Sequence, residues 1–411
     1  MTAGPVVLAT MPWQSLDCPS LPIALLNAAA AAAGFAPAAA YHGNLHWAEF
    51  LLEATGGEIG PPEYTEIADN GLFDSLGDWA FTGVLHDDDL FGVATLHEYA
   101  RDRGVDTGVV ERMREHARDF VDAAAARILA AGPAVVGFTS TFMQNVPSLA
   151  TARRVRELDP RVRIVFGGGN CDGVMGTALH RSFPFVDFVV RGEGETAWPA
   201  LLAALAGDRA YAGVPGLCWR DGTGVTQANG QAPPLPAGRI PAPDYTSWFE
   251  QLAVSPVSEY VEPKLVLESA RGCWWGEKHH CTFCGLNGTL MPFRAKSPER
   301  VLDEITSMVL RHQVLDVIMV DNIISERSFD DLLPRLAGLG WDLRIHYEVK
   351  SNLRPSDIAL LRESGVMHVQ PGIESLVTPA LRLMDKGVTG IRNLRTLRDC
   401  ESAGLTVTWN W

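Results

Sequence analysis

The sequence predicts an α/β protein made of two successive runs of alternating strands and helices. Three observations support this fold class. Short apolar segments recur along the 411 residues, and most are followed by a stretch with helical periodicity. Turns rich in small residues follow several of these segments. A proline-rich stretch separates the two runs, and strands that alternate with helices in this way pair in parallel.

The first run is expected to form a doubly wound sheet. Apolar strands are predicted at 5–10, 134–139, 163–166 and 187–190, with helices at about 20–33 and 147–158. Residues from about 41 to 130 interrupt the alternation and are expected to form a helical insertion. Small residues follow two strands: Ser140 and Thr141 after the second, and Gly168 and Gly169 after the third. In sheets of this class, turns at the strand ends bind ligands.

The second run follows five prolines that lie between Gln231 and Pro243. They indicate a linker, which we place at 231–255, between domains at 1–230 and 256–411. Strands are predicted at 265–270, 315–320, 343–349, 366–372 and 405–411, and helices at 298–312, 328–338, 356–364 and 389–403. This is a (β/α) pattern, and the sequence stops within its fifth predicted strand, so we expect either a fragment of a longer protein or an unusually abrupt end.

Three cysteines lie close together after the first strand of the second run, at Cys273, Cys281 and Cys284. Three thiolates with no fourth cysteine nearby suit an iron–sulfur cluster that keeps one iron open for a further ligand. A structural zinc normally has four protein ligands, and His279 or His280 is the candidate for the fourth. The two-residue gap before Cys284 fits a zinc site, whereas the seven residues after Cys273 are more than usual. The spacing alone leaves both alternatives open.

Composition restricts the partners and the compartment. The formal net charge of −15 argues against nucleic acid or an anionic membrane as the main partner. No uninterrupted apolar run reaches transmembrane length. Seven cysteines, four of them scattered, favour a reducing cytoplasm over a framework of disulfides.

The segments around the cysteines resemble the radical S-adenosylmethionine (SAM) superfamily. Residues 273–276 and 280–288 are similar to the subgroup that has a cobalamin-binding-type domain and matures ribosomally synthesised peptides. Residues 319–322, 372–376 and 383–388 fit the same subgroup. The superfamily usually has three residues between the first two cysteines, whereas this sequence has seven. The resemblance implies a Rossmann-like cobalamin-binding-type domain followed by a partial (β/α) radical SAM barrel.

The resemblance also implies roles for individual residues. The three cysteines would hold three irons of a 4Fe–4S cluster, and the fourth iron would bind S-adenosyl-L-methionine. Phe283 would lie near the adenine, and Glu374 and Ser375 would contact the ribose or the methionine portion. Alternatively, Phe283 is a core aromatic and the polar residues only cap or solvate their loops. Further polar residues expected at the same rim are Lys350, Asn352, Asp321 and Asn322.

In the first domain, Ser140, Thr141, Gly168 and Gly169 match the turns that wrap cobalamin. Ordinary tight turns in an empty sheet are the alternative. The Asp-x-His-x-x-Gly motif that supplies a lower histidine ligand is absent, and the loop Met11 to Pro19 has no histidine. Either cobalamin binds with no protein ligand on cobalt, or the domain has lost this cofactor. The histidines of the insertion follow no ligand spacing and are expected in the core or on the surface: His42, His46, His86 and His97.

The expected activity is radical modification of a ribosomally synthesised precursor peptide, with an electron donor such as flavodoxin or ferredoxin. If cobalamin binds, the expected reaction is C-methylation at an unactivated carbon. The alternatives are a non-methylating rearrangement or cyclisation and, from another class, a zinc-stabilised binding module without catalysis.

Overall fold

The computed structural model describes residues 4–207, 210–285 and 291–410, which form two compact units. The first unit contains Met1–Leu235 and Pro241–Glu262, and the second contains Pro236–Ile240 and Pro263–Trp411. The end of the 280–288 segment and Trp411 lie outside the described residues. No described helix combines the length and the apolar character needed to span a bilayer. The proposed domain limits at 230 and 256 remain predictions.

The first unit is built on one seven-stranded sheet. In chain order its strands are β1 (Val6–Thr10), β2 (Ala39–His42), β3 (Val135–Thr139), β4 (Arg163–Gly167), β5 (Phe188–Val190), β6 (Leu217–Arg220) and β7 (Thr226–Ala228). The spatial order is β2-β1-β3-β4-β5-β6-β7, with β6 and β7 antiparallel at one edge and the other strands parallel. The order reverses between β1 and β3. A crevice therefore opens at the carboxyl ends of these two strands, where open α/β sheets bind ligands.

Helices cover both faces of this sheet. They are α1 (Leu21–Ala32), α2 (Gly43–Ala54), α3 (Pro61–Asp69), α4 (Leu76–His86), α5 (Val93–Arg103), α6 (Gly108–Ala130), α7 (Asn145–Leu158), α8 (Gly173–Ser182), α9 (Gly194–Leu205) and α10 (Thr246–Val254). One core holds Leu8 with Ile23 of α1 and Trp198 of α9. The other holds Trp47 of α2 and Phe120 of α6, so the helices within 43–130 supply much of the opposite layer.

The segment predicted as a linker is more ordered than its composition indicates. Its second part is helix α10, and Trp248 and Leu252 of this helix belong to the core of the first unit. Within 231–255 the prolines are confined to residues 233–243, so the linker signal came from the first part alone.

The second unit contains a parallel five-stranded sheet and a short hairpin-like pair. In chain order the strands are β8 (Leu265–Leu267), β9 (Ala270–Arg271), β10 (Arg294–Ala295), β11 (Asp316–Met319), β12 (Arg344–Val349), β13 (Val366–Pro371) and β14 (Thr406–Val407). The sheet order is β14-β13-β12-β11-β8. The strand predicted at 265–270 divides in two, because Ala270 and Arg271 leave the sheet and pair antiparallel with β10. The described residues 272–285 and 291–293 lie in the chain between these two paired strands.

The helices of the second unit cover one face of its sheet. They are α11 (Pro298–His312), α12 (Leu332–Gly338), α13 (Pro355–Glu363), α14 (Thr378–Leu383) and α15 (Gly390–Ser402). Along β12, Ile345, Tyr347 and Val349 are buried, whereas His346 and Glu348 between them are partly exposed. Side chains alternate between the faces of a strand. The sheet therefore has a helix-covered face and a second face, called here the open face, which carries polar residues.

Candidate active site

The three cysteines lie in the described residues 272–285, which follow β9 and are called here, together with 291–293 before β10, the cysteine loop. The Cys273 backbone N–H donates to the carbonyl of Met291 at 3.2 Å, which joins the start of this loop to its end. The Cys284 N–H donates to the carbonyl of Cys281 at 3.0 Å and makes a tight turn between these two cysteines. All three side chains are partly exposed. The loop thus presents three accessible thiols.

The surroundings of the thiols suit iron–sulfur ligation. The Gly276 N–H donates to Cys273 Sγ at 3.3 Å, and hydrogen bonds to cluster sulfurs tune such centres. Burial raises the pKa of Cys281, while the positive charges of Lys386 and Lys350 oppose this rise. Iron is bound by the thiolate, so the two ammonium groups favour the form that a cluster needs. The donor set and its charges therefore fit a cluster held by three cysteines.

The two histidines considered as zinc ligands make other contacts. The ring of His279 stacks on Trp275 with centroids 4.4 Å apart, and its Nδ1 lies 3.5 Å from the Asp385 carboxylate. The Nε2 atom of His280 is 3.2 Å from the carbonyl oxygen of Cys284. In the part of the chain that is described, no three His, Cys, Asp or Glu side chains converge on one ion position.

Lys350 lies against the tryptophans of the cysteine loop. Its Nζ is 2.9 Å from the ring centroid of Trp275 and 5.7 Å from that of Trp274. The same Nζ donates to the carbonyl of Lys386 at 3.0 Å. Burial, and then the charge of Lys386, lowers the pKa of Lys350 to about 8. Lys350 is thus placed beside the cysteine loop, at the rim where the sequence predicts it.

Glu374 and Phe283 meet at the side chain of Lys386. Glu374 follows β13 in the left-handed region, with φ of 55°, and its Oε1 accepts a hydrogen bond from Lys386 Nζ at 3.1 Å. The same Nζ lies 5.6 Å from the ring centroid of Phe283. Phe283 is 53 % exposed and is not a core aromatic. The structure therefore brings Glu374, Phe283 and Lys350 together around Lys386, next to the cysteines.

Ser375 and Asn352 are less directly placed. The Ser375 hydroxyl accepts a hydrogen bond from the Val377 N–H at 3.0 Å, so it shapes the turn before α14. Asn352 is partly exposed, and its carbonyl accepts from Arg392 at 3.4 Å. Their predicted contacts with the cofactor remain predictions.

Asn393 on α15 is a site residue that sequence reasoning missed. It is fully buried, and its Nδ2 donates to the carbonyls of Ile373 and Ser375, both at 2.8 Å. Its Oδ1 accepts from the hydroxyl of Ser351 at 2.6 Å. Asn393 thereby joins the loop after β12 to the loop after β13. The only sequence signal was an amide on the buried side of an amphipathic helix.

Asp321 does not reach the rim, contrary to the sequence-based expectation. Its side chain is 1 % exposed, and its carboxylate accepts from both the backbone N–H, at 2.7 Å, and the hydroxyl of Ser269. Tyr347 donates to the same hydroxyl at 3.1 Å. Burial raises the pKa of Asp321 to about 7, although its bonds to Ser269 oppose the rise. Asp321 positions the chain just before the cysteine loop.

In the first unit, the loops after β3 and β4 pack on each other at the carboxyl edge. Asn170 Nδ2 donates to the hydroxyl of Ser140 at 2.9 Å. Gly168 has φ of 95°, and a Cβ on it would lie 2.6 Å from the Ser140 carbonyl oxygen. The close packing of the two loops is therefore enough to require glycine at position 168, and a bound ligand is not needed to explain it. A Cβ on Gly169 would lie at an ordinary 3.5 Å from Thr141, so the fold itself leaves this position free to vary.

An exposed apolar surface lies at the same edge. Phe142 after β3 is 75 % exposed, and Val174 and Met175 at the start of α8 are 83 % and 53 % exposed. Phe142 has a positive φ of 48°, which is strained for an aromatic residue. Among the described residues, the buried Thr139 Oγ1 and Asn145 Oδ1 have no hydrogen-bond partner. An apolar surface next to polar atoms without partners fits a large ring with a polar tail, such as cobalamin.

Hydrogen bonds join the loop after β1 to the loop after β3, at the place where the strand order reverses. The loop after β1, from Met11 to Pro19, contains no histidine. Gln144 Nε2 donates to Thr10 Oγ1 at 3.1 Å and to the Met11 carbonyl at 3.3 Å. Strand β2 brings His42 into register with Thr10, which the sequence did not predict because this strand was missed. His42 is only 2 % exposed, and burial lowers its pKa to about 4. It lies beneath the edge rather than on it.

Two family models match the chain. The B12 binding domain matches residues 84–202, and the radical SAM superfamily matches residues 267–410. The chain joins a B12-binding domain to a radical SAM domain. The second of these domains is similar to enzymes of the radical SAM superfamily. The radical SAM domain implies a 4Fe–4S cluster and S-adenosylmethionine, and the B12-binding domain supports cobalamin as a third cofactor.

Curated relatives are similar over about two thirds of the chain. The uncharacterized methyltransferase PH0819 of Pyrococcus horikoshii is 25 % identical over 284 residues, which cover 66 % of this chain and 58 % of that protein. The anaerobic magnesium-protoporphyrin IX monomethyl ester cyclase of Rubrivivax gelatinosus is 26 % identical over 289 residues, which cover 66 % and 49 %. The chain thus spans about half the length of these relatives.

A solved structure confirms the predicted fold class. The cobalamin-dependent S-adenosylmethionine radical enzyme OxsB, with aqua-cobalamin bound, is similar to this chain with a TM-score of 0.68. The match covers 98 % of this chain and 49 % of that one, at 14 % sequence identity. At this identity the likeness establishes the α/β architecture with its two domains.

The buried carboxyl of Asp321 is expected to make the stability of the protein depend on pH. Its pKa is about 7 in the folded chain and has the ordinary value of 3.8 when unfolded. The folded state therefore holds the proton more tightly, and this contribution to stability is lost as the pH rises from about 4 to about 7. The free energy of unfolding, measured in urea at a series of pH values across this range, should fall less steeply with pH for Asp321→Asn than for the native chain.

The matched control for this measurement is Asp316→Asn, at a half-exposed carboxylate that pairs with Arg344. Its free energy of unfolding should depend on pH as steeply as that of the native chain. If the free energy of Asp321→Asn also shows this same dependence on pH, the raised pKa does not belong to the Asp321 carboxyl.

Proposed function

We propose that this enzyme is a cobalamin-dependent radical SAM methyltransferase that methylates a carbon of its substrate. The observation that carries the proposal is the group of three partly exposed thiols beside Lys386 and Glu374, in a chain that also has a B12-binding domain. When bound, the cluster and S-adenosylmethionine supply a radical that takes hydrogen from carbon, and cobalamin supplies a carrier for the methyl group. The relative PH0819 is named as a methyltransferase, which favours the same reaction.

The residues of this chain bind and orient the cofactors. Cys273, Cys281 and Cys284 would hold three irons and leave the fourth for S-adenosylmethionine. Glu374, fixed by Lys386, presents a carboxylate that can accept hydrogen bonds from the ribose hydroxyls or the amino group.

Aromatic side chains lie close to this site. Trp274 and Trp275, within the cysteine loop, pack at right angles to each other, with ring centroids 6.4 Å apart. Phe283 adds a further ring, 5.6 Å from Lys386 Nζ. A site from which water is excluded protects a reactive radical from side reactions.

The substrate we propose is a ribosomally synthesised precursor peptide, with flavodoxin or ferredoxin as the electron donor. The support is the similarity of segments 273–276, 372–376 and 383–388 to the subgroup that matures such peptides. A second candidate is a non-methylating ring closure, because one relative is named as a cyclase.

Reconstitution with iron tests the cluster. Protein prepared without oxygen is expected to bind about four irons per chain, as one 4Fe–4S cluster with visible absorption. The triple variant with Cys273, Cys281 and Cys284 changed to alanine should lose this absorption and the iron. The control Cys18→Ala, at another partly exposed cysteine, should keep both. Stoichiometric zinc without iron would instead support the zinc alternative.

Cleavage of S-adenosylmethionine tests the role of Glu374. The reduced protein is expected to form 5′-deoxyadenosine, and Glu374→Ala should weaken S-adenosylmethionine binding about tenfold, the worth of one hydrogen bond to a charged group. Equilibrium binding and product analysis measure the two effects. The control Glu401→Ala, at an exposed position at the end of α15, should change neither. Unchanged affinity in Glu374→Ala would remove this residue from the cofactor site.

The variant Phe142→Gly tests whether the exposed ring of Phe142 binds cobalamin or only affects the stability of the fold. Glycine relieves the positive φ, so the variant should be up to about 1 kcal/mol more stable. Loss of the exposed ring should nonetheless weaken cobalamin binding by about tenfold or more, because a phenyl ring is worth about 1.5–3 kcal/mol when buried. Unfolding in urea and a cobalamin titration measure the two quantities. Phe73→Gly, at a phenylalanine that is 86 % exposed within the helical insertion, is the control and should bind cobalamin normally.

The bound cobalamin is expected to be base-off, without nitrogen splitting from a protein imidazole in its paramagnetic resonance. His42→Ala should leave the spectrum unchanged, because this ring is buried beneath the edge. If folded protein takes up no cobalamin from a large excess, methyl transfer through cobalt is excluded and the ring-closing candidate replaces it.

A further inference from the structure

The open face of the second sheet carries two histidines in one row. The strand register aligns five residues across the whole sheet: Val266, Ile318, His346, His368 and Thr406. His346 and His368 are direct neighbours on β12 and β13, with ring centroids 4.9 Å apart and planes at 79°. The cofactor roles proposed above use neither ring.

The histidine pair has a hydrogen-bonding atom without a partner. Within the described residues, the Nε2 atom of His368 is buried and makes no hydrogen bond. Leaving such an atom without a partner destabilises the fold, so a ligand that supplies one is favoured. Each neutral imidazole has one N–H donor, so the pair can donate to a polar group placed over the row.

The electrostatic surroundings of the pair are positive. Burial first, then His368 and the charge of Lys264, lower the pKa of His346 to about 4. Burial and Lys264 also lower the pKa of His368. Among the described acids near this face, Asp316 pairs with Arg344, Glu268 pairs with Arg271, and Glu348 interacts with Glu374 and Lys386. A negatively charged group would therefore be favoured at the histidines.

We propose that His346 and His368, with the charge of Lys264, bind a carboxylate group of the substrate. This inference rests on the proposed function, in which the substrate lies on the open face below the cysteine loop. Each ring donates one N–H to the carboxylate oxygens, and Lys264 supplies the opposite charge. His346 lies on β12, four residues before Lys350, which directly follows this strand. Four residues of extended chain span about 13 Å. The reacting carbon would accordingly lie on the order of 10 Å from the acid group.

The test uses the full chain and two small probes of nearly the same shape, N-acetylglycine and its uncharged amide, N-acetylglycinamide. The protein carries ¹³C in its histidine rings, and each probe is titrated at pH 7 while the ring signals are followed by NMR. His346→Gln and His368→Gln assign the two signals. We expect the acid to shift both signals saturably and the amide to bind about tenfold more weakly or not at all.

Two further measurements make the result decisive. Lys264→Met should weaken binding of the acid about tenfold and leave the response to the amide unchanged. The signal of His97, which lies in the first unit and is half-exposed, should not move with either probe. The acid and the amide are compared on the native chain, and the glutamine variants serve only to assign the two signals. If only one of these variants folds, the signal that it assigns decides the question.

Equal responses to the acid and the amide, or no movement of the two signals, would overturn the inference. Because this assay needs neither the cluster nor S-adenosylmethionine, the two proposals can fail separately. A protein that cleaves S-adenosylmethionine but shows no preference for the acid refutes the carboxylate site alone. A protein that prefers the acid but takes up no iron keeps the carboxylate site and refutes the proposed function.

Discussion

The position of the cysteine loop depends on one buried carboxylate. Asp321, at the end of β11, holds both the backbone and the hydroxyl of Ser269, which stands where β8 ends. From there Ala270 and Arg271 turn out of the sheet and pair with β10, so the loop begins at a fixed place and direction. A carboxylate with no countercharge is costly to bury, which its raised pKa reflects. The hydrogen bonds from Ser269 offset part of this cost.

The charge balance of the site depends on Lys386. Its ammonium contacts Glu374 and the ring of Phe283, and it favours the thiolate form of Cys281, while its carbonyl holds Lys350. Two lysines side by side repel each other, and this repulsion contributes to the lowered pKa of Lys350. A cluster with negatively charged thiolates supplies the charge that makes both lysines favourable. The lysine pair and the three thiols are thus mutually stabilising only when the thiols are ionised.

The sequence predicted the elements whose signal is local and missed those defined by distant contacts. The apolar strands β1, β3 and β4 agree with prediction to within one residue at each end. Strand β2 was missed because Ala39–His42 is short, and only its pairing with β1 makes it a strand. In the site, the cysteines could be predicted because all three lie close together in the sequence, and Glu374 because it lies in the segment 372–376 that resembles the family. Asn393 was missed, and Asp321 was wrongly expected at the rim, because the roles of both consist of hydrogen bonds to residues 18–52 positions away.

The two faces of the second sheet show how one fold separates stability from recognition. On the helix-covered face, Ile345, Tyr347 and Val349 are at most 3 % exposed and supply the core. On the open face, the same strand carries His346 and Glu348, and then Lys350 at the rim. A strand of a parallel sheet that served only stability would be apolar on both faces. The retention of ionisable side chains along one face, from the histidine row up to the cysteine loop, is the pattern that a polar substrate requires, because each such group costs stability unless a ligand satisfies it.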